Sequence, residues 1–166
     1  DDRSTPSEPV EPSEPKDAGI FECANGYDEN CNVLSFWWAK PHRQIDYELN
    51  SPVAGSKAKF IKLVSVRTDG RTGKTGTVGI EKIILHLSNG KTIDALKLAK
   101  KAFPEKMSSK GALVLSSEGD GVVIELPALS AGVKILGITI VGDSRIDAQT
   151  AAYLQVWLSS KSSIFQ

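Results

Sequence analysis

Ala152-Tyr153-Leu154-Gln155-Val156-Trp157-Leu158 is the stretch that decides the fold class. Ala152, Leu154, Val156 and Leu158 alternate with Tyr153, Gln155 and Trp157, so an extended chain presents one aliphatic face and one aromatic, polar face. A helix would scatter the same residues around its circumference. The pattern therefore predicts a strand half-buried on a core.

Upstream, the same signature recurs in Lys59–Arg67, Val78–Leu87, Ala112–Ser116, Gly121–Leu126 and Val133–Val141, each dense in Val, Ile and Leu and bounded by turn residues. Short strands at this spacing predict an all-β domain, an antiparallel β-sandwich of jelly-roll type. Asn89-Gly90, between Leu87 and Ile93, predicts a hairpin through a type I′ turn, which needs positive φ at both central residues. A strand is expected from Lys91 to about Leu98, then an irregular or short helical turn ended by Pro104.

Residues 1–18 have a different composition, with a proline every third residue or so and one isolated Val10. Such a segment buries too little apolar area to offset its ordering entropy, so a disordered acidic linker is expected at 1–18 and the sandwich domain at 19–166. Six acidic groups in residues 1–17 face only Arg3 and Lys16; the tail carries −4 and, the chain being neutral, the remainder carries +4. That excess is too thin for a nucleic-acid interface. It is densest from Lys40 to Lys74, where Lys and Arg read as solvated strand edges and loops.

The longest apolar run, Val133–Val141, is far shorter than the roughly 20 residues of a membrane-spanning helix. The chain opens on Asp1 and its only methionine is Met107, which fits a processed, exported protein; an extracytoplasmic location is expected, and a lipid anchor upstream of residue 1 is compatible with the tail. Cys23 and Cys31 flank Asn25-Gly26, a turn able to bring them together, and a disulfide is expected in an oxidising compartment. Zinc is not expected, because no further Cys exists and both His42 and His86 are distant in sequence.

No motif presents an activated nucleophile. Gly70, Gly73-Lys74-Thr75 and Gly76 lack the glycine that phosphate-loop spacing requires at position 68, and no helix follows. No catalytic residue or obligatory cofactor is assigned. Glu118, Asp120, Asp143 and Asp147 fall between expected strands and leave a structural calcium open, without the helix-loop-helix spacing.

The cluster that stands out is Phe36-Trp37-Trp38-Ala39-Lys40-Pro41-His42-Arg43, with Tyr153 and Trp157. Planar rings beside hydrogen-bonding and basic groups suit a sugar-binding surface, so Trp37, Trp38, His42, Arg43, Tyr153 and Trp157 are the candidate ligand-binding residues. Adjacent residues of an extended segment point to opposite faces, so at least one of Trp37 and Trp38 is expected in the core.

Phe60–Arg67, Val78–Gly90, Val133–Gly142 and Leu154–Trp157 together resemble small exported bacterial β-sandwich domains and are similar to carbohydrate-binding modules and galactose-binding-like jelly rolls. The resemblance implies a fold more than an activity. The expected function is a non-catalytic binding module taking a glycan or cell-wall saccharide. The alternatives are a module binding an envelope protein and a glycan-active hydrolase.

Overall fold

The computed structural model describes residues 18–22, 33–38, 44–68, 78–116, 119–142 and 152–162. Their elements in chain order are β1 (Ala18–Glu22), β2 (Val33–Trp38), β3 (Gln44–Ala54), β4 (Phe60–Thr68), β5 (Val78–Leu87), β6 (Thr92–Asp94), α1 (Ala95–Ala102), β7 (Leu113–Leu115), β8 (Gly121–Glu125), β9 (Lys134–Gly142) and β10 (Ala152–Ser159). The first sheet runs β1-β2-β10-β4-β8 and the second β3-β9-β5-β6. β6 and β7 share one edge of β5, β6 beside Ile84–His86 and β7 beside Val78–Ile80. Every pairing is antiparallel, as expected for a sandwich.

Alternation explains the two layers. Leu154, Val156 and Leu158 of β10 are buried with Leu34 and Phe36 of β2, Ile61 and Leu63 of β4, and Val122 and Ile124 of β8. The second sheet contributes Ile83 and Leu85 of β5, Ile45 of β3, and Ile138 and Ile140 of β9 to the same core. Each such side chain contributes about 1.5–3 kcal/mol through burial. The other faces carry the polar alternates, and these hold the candidate sites.

β1 opens at Ala18, in register with Trp38. Three local expectations are corrected. β2 and β3 are strands absent from the expected runs, although buried Ile45 and Leu49 alternate with exposed Gln44, Asp46, Glu48 and Asn50. The strand expected from Lys91 to Leu98 stops at Asp94, whose carboxylate accepts the Lys97 N–H at 3.0 Å and caps α1. The helix buries Ala95 and Ala99, and Phe103 N–H closes its last turn on the Ala99 carbonyl just before Pro104.

The third correction is the β5–β6 turn. Gly90 N–H bonds to the Leu87 carbonyl at 3.0 Å, so Ser88 and Asn89 are the central residues, with Gly90 following at φ 83°. This is a three-residue hairpin loop with glycine at the left-handed position, where lack of a Cβ removes the steric penalty. The Asn89 side chain accepts from Lys91 N–H at 3.0 Å and braces it. Residues 1–17, Cys23, Cys31 and the glycine-rich segment 69–77 lie outside the described residues.

Candidate functional site

β2 and β10 are neighbours, and their register brings together residues more than a hundred positions apart in sequence. Trp37 stands opposite Tyr153, Ser35 opposite Gln155, and Val33 opposite Trp157. Trp38 pairs with Ala152 and shares the strand parity of the buried Leu34 and Phe36, the core-facing set. Along the backbone, Trp37 thus shares a register position with Tyr153, and Trp38 with Ala152. His42 and Arg43 lie outside the described residues.

Trp157 is half-buried, and its indole Nε1 donates to Gln155 Oε1 at 3.3 Å, which restrains the ring. Across the sheet the same register line continues through Lys62 to Val123. Lys62 is 0% exposed, a correction to its reading as a solvated charge. It sits on β4, which has β10 on one side and β8 on the other, rather than at a strand edge. Phe60, Val123 and Gln155 are half-buried around it.

The outer face of the second sheet holds a polar constellation that was not anticipated from the sequence. Thr139, on the central part of β9, pairs with Asp46 of β3 on one side and Ile84 of β5 on the other. Its hydroxyl donates to Asp46 Oδ1 at 2.6 Å and lies 2.7 Å from His86 Nε2. A threonine hydroxyl has one proton, so Nε2 is the donor in the second bond. Gln44 Nε2 adds bonds to both Asp46 oxygens, at 3.2 and 3.0 Å. The Thr139 hydroxyl and then the Gln44 amide hold the Asp46 carboxyl below its usual range, against a small opposing effect of burial and with help from His86.

A β-bulge shapes the surface beside this chain of bonds. His86 and Leu87 pair with Gly137 and Ile135, so Leu136 is an extra residue in β9. Ile135 stays in the core, while Leu136 is 36% exposed, the one large exposed hydrophobic residue among those described. Gly137 lies between Glu48 and His86, and a Cβ there would stand 2.5 Å from the Tyr47 carbonyl oxygen, so only glycine fits. The result is a shallow basin of about 310 Å³ lined by Asp46, Glu48, His86, Leu136, Gly137 and Thr139, with Tyr47 also at its margin.

Of the carboxylates weighed for calcium, Asp120 is engaged by the protein itself. It accepts from Lys106 Nζ at 2.8 Å and from Ser116 N–H at 2.9 Å. Partial burial pushes its carboxyl up, and these bonds together with the Lys106 charge outweigh it and hold the group below its ordinary value. Glu118, Asp143 and Asp147 lie outside the described residues. Among the described residues no three His, Cys, Asp or Glu side chains gather as a metal site, and no helix is long and apolar enough to cross a membrane.

No protein-family model matches the chain, and no curated protein matches it. Solved structures of oxalate oxidase do, among them one described as in complex with the substrate analogue glycolate and a recombinant form with glycolate. Each is 14% identical with a TM-score of 0.33, covering 91% of this chain and 55% of the other. This chain thus spans about half the length of those oxidases. At that level neither their chemistry nor their ligands pass to it.

Proposed function

We propose that the protein is a non-catalytic binding module whose ligand is a glycan, held on the outer face of the first sheet. The supporting observation is the register that sets Trp37 opposite Tyr153, with Trp157 farther along the same line of β10. A sugar stacks its C–H face on an aromatic ring only where the ring is both accessible and fixed; the half-buried Trp157 indole, tied to Gln155, meets both conditions. Gln155, between Tyr153 and Trp157 in sequence on β10, supplies a hydrogen-bonding group beside the Trp157 ring.

Two features weigh against a hydrolase. Thr139, the hydroxyl beside a histidine, is 6% exposed and spends its proton on Asp46. Asp46 and Glu48 stand two residues apart on one strand, on the same wall, whereas glycoside hydrolysis needs carboxyl groups flanking the bond from opposite sides.

The test is a glycan array followed by isothermal titration with the tightest hit. Trp157→Ala weakens binding by roughly thirtyfold or more, the loss of a hot-spot ring worth about 2 kcal/mol. Gln155→Leu keeps the ring, frees the indole and weakens binding less. A folded Trp157→Ala protein that binds as well as wild type would sink the reading, as would a wild-type protein that retains no saccharide across the array. A protein partner for the same face is then the next reading to pursue.

A further inference from the structure

Asn89 and Gly90 are both exposed at the β5–β6 turn, and an asparagine followed by glycine carries its own reaction. The Gly90 nitrogen, once it has lost its proton to hydroxide, attacks Asn89 Cγ. A C–N bond forms, the Cγ–Nδ2 bond breaks and ammonia leaves; water then opens the resulting succinimide to aspartate or isoaspartate at position 89. Glycine suits the attack because no Cβ obstructs ring closure, and no atom lies within 4 Å of where a Gly90 Cβ would stand. Solvent reaches both partners.

The turn nevertheless holds back both reacting groups. Gly90 N–H is donated to the Leu87 carbonyl at 3.0 Å, so the nucleophilic nitrogen keeps its proton while that bond stands. Asn89 Oδ1 accepts from Lys91 N–H at 3.0 Å, which fixes the carboxamide, and Leu87 N–H closes the loop on the Lys91 carbonyl at 2.9 Å. Ser88 ties the turn to the start of β9: its N–H bonds to the Lys134 carbonyl at 2.8 Å and its Oγ accepts from Lys134 N–H at 2.9 Å. A solvent-exposed tip thus has a backbone fixed by a second strand.

We propose that Asn89 is a deamidation site gated by its own hairpin, the modification proceeding only through the opened turn. Loss of the Gly90 amide proton is the step that deamidation shares with amide hydrogen exchange, and a hydrogen-bonded amide reaches it through local opening. The two products differ in consequence. Aspartate keeps a side-chain oxygen for the Lys91 N–H. Isoaspartate runs the main chain through Cγ and adds a methylene to a three-residue loop whose length sets the register of β6, His86 with Thr92, Leu85 with Ile93 and Ile84 with Asp94. The change is then passed inward, because Ile93 belongs to the core and Asp94 caps α1.

The experiment incubates the full chain in mildly alkaline buffer, folded and in guanidinium chloride, and maps the tryptic peptide 83–91, in which both products are heavier by the exchange of NH for O and isoaspartate elutes apart. The folded chain should modify Asn89 roughly tenfold or more slowly than the unfolded one, by a factor that matches the exchange protection of the Gly90 amide measured by NMR. Ser88→Ala removes the Oγ anchor from an exposed position, with the fold verified by circular dichroism. It should raise the folded-state rate about fivefold, the factor one neutral hydrogen bond contributes to an opening equilibrium, and leave the unfolded rate unchanged. Equal rates in the folded and unfolded chains, a folded-state rate that does not follow Gly90 exchange, a folded Ser88→Ala chain that reacts no faster, or an Asn89 that stays intact in guanidinium chloride would each overturn the proposal.

Discussion

Replacing Thr139 by valine tests the His86–Thr139–Asp46 chain with almost no change of shape. The substitution removes the 2.6 Å bond to Asp46 and the 2.7 Å bond from His86. A hydrogen bond to a charged group contributes about 1.5–3 kcal/mol, but both partners are exposed enough for water to replace much of it, which brings the loss to about 1 kcal/mol. Valine returns a few tenths through strand propensity at a position that is buried already. The melting temperature at neutral pH should fall by about 2–4 °C for a domain of this size. The difference between the two proteins also depends on pH. Asp46 has its carboxyl lowered from 3.8 in the native state, so its stabilisation is complete above 3.8 and is lost as pH falls through the lower native value. Melting curves of both proteins by circular dichroism, from neutral pH to about pH 2.5, should therefore converge in acid. A gap that stays constant or widens on acidification would refute the idea that the Thr139 hydroxyl holds the carboxylate in its charged form.

Asp120→Asn removes the charge that joins Lys106 to the β7–β8 connection and should cost about 1–2 kcal/mol in urea unfolding at neutral pH, with the cost shrinking in acid because this carboxyl too is lowered. An unchanged midpoint would show that the pair is solvated and idle. Gly90→Ala meets no atom within 4 Å, so its cost is the left-handed backbone alone, roughly 1–2 kcal/mol; Gly90→Asn, which tolerates that conformation better, should recover part of it in the same assay.

Most of the sheet structure was legible because burial on one face of a sheet writes itself into the chain as a period of two. β4, β5, β8, β9 and β10 follow from Val, Ile and Leu alternation or runs. β3 carried the same signal in Ile45 and Leu49, but its intervening residues are Gln44, Asp46 and Glu48, and its apolar density is low. The segment after Asn89-Gly90 misled because Lys91–Leu98 begins as a strand, and one carboxylate at Asp94 decides where the helix takes over. The aromatic line was half legible: the residues were named, yet only the β2–β10 register sets Trp37 opposite Tyr153. The basin was not legible at all. Thr139 and Asp46 lie 93 positions apart and Thr139 and His86 lie 53 apart, and Gly137, which marks the bulge at Leu136, says nothing of which strands flank it.

The position of β10 has a kinetic consequence. The last strand among the described residues is not at an edge; it is inserted between β2 and β4, near the middle of the first sheet. Until residues 152–159 emerge and dock, β2 and β4 each lack a neighbour, and their apolar faces have no complete layer to close upon. A chain synthesised from its N-terminus therefore completes this sheet only once β10 has emerged, through pairings of very long loop closure, which makes folding slow rather than progressive. In the interval, two strand edges remain open to any other extended chain. A ribosome-stalled or C-terminally clipped product should behave as an aggregation-prone intermediate, not as a smaller folded domain.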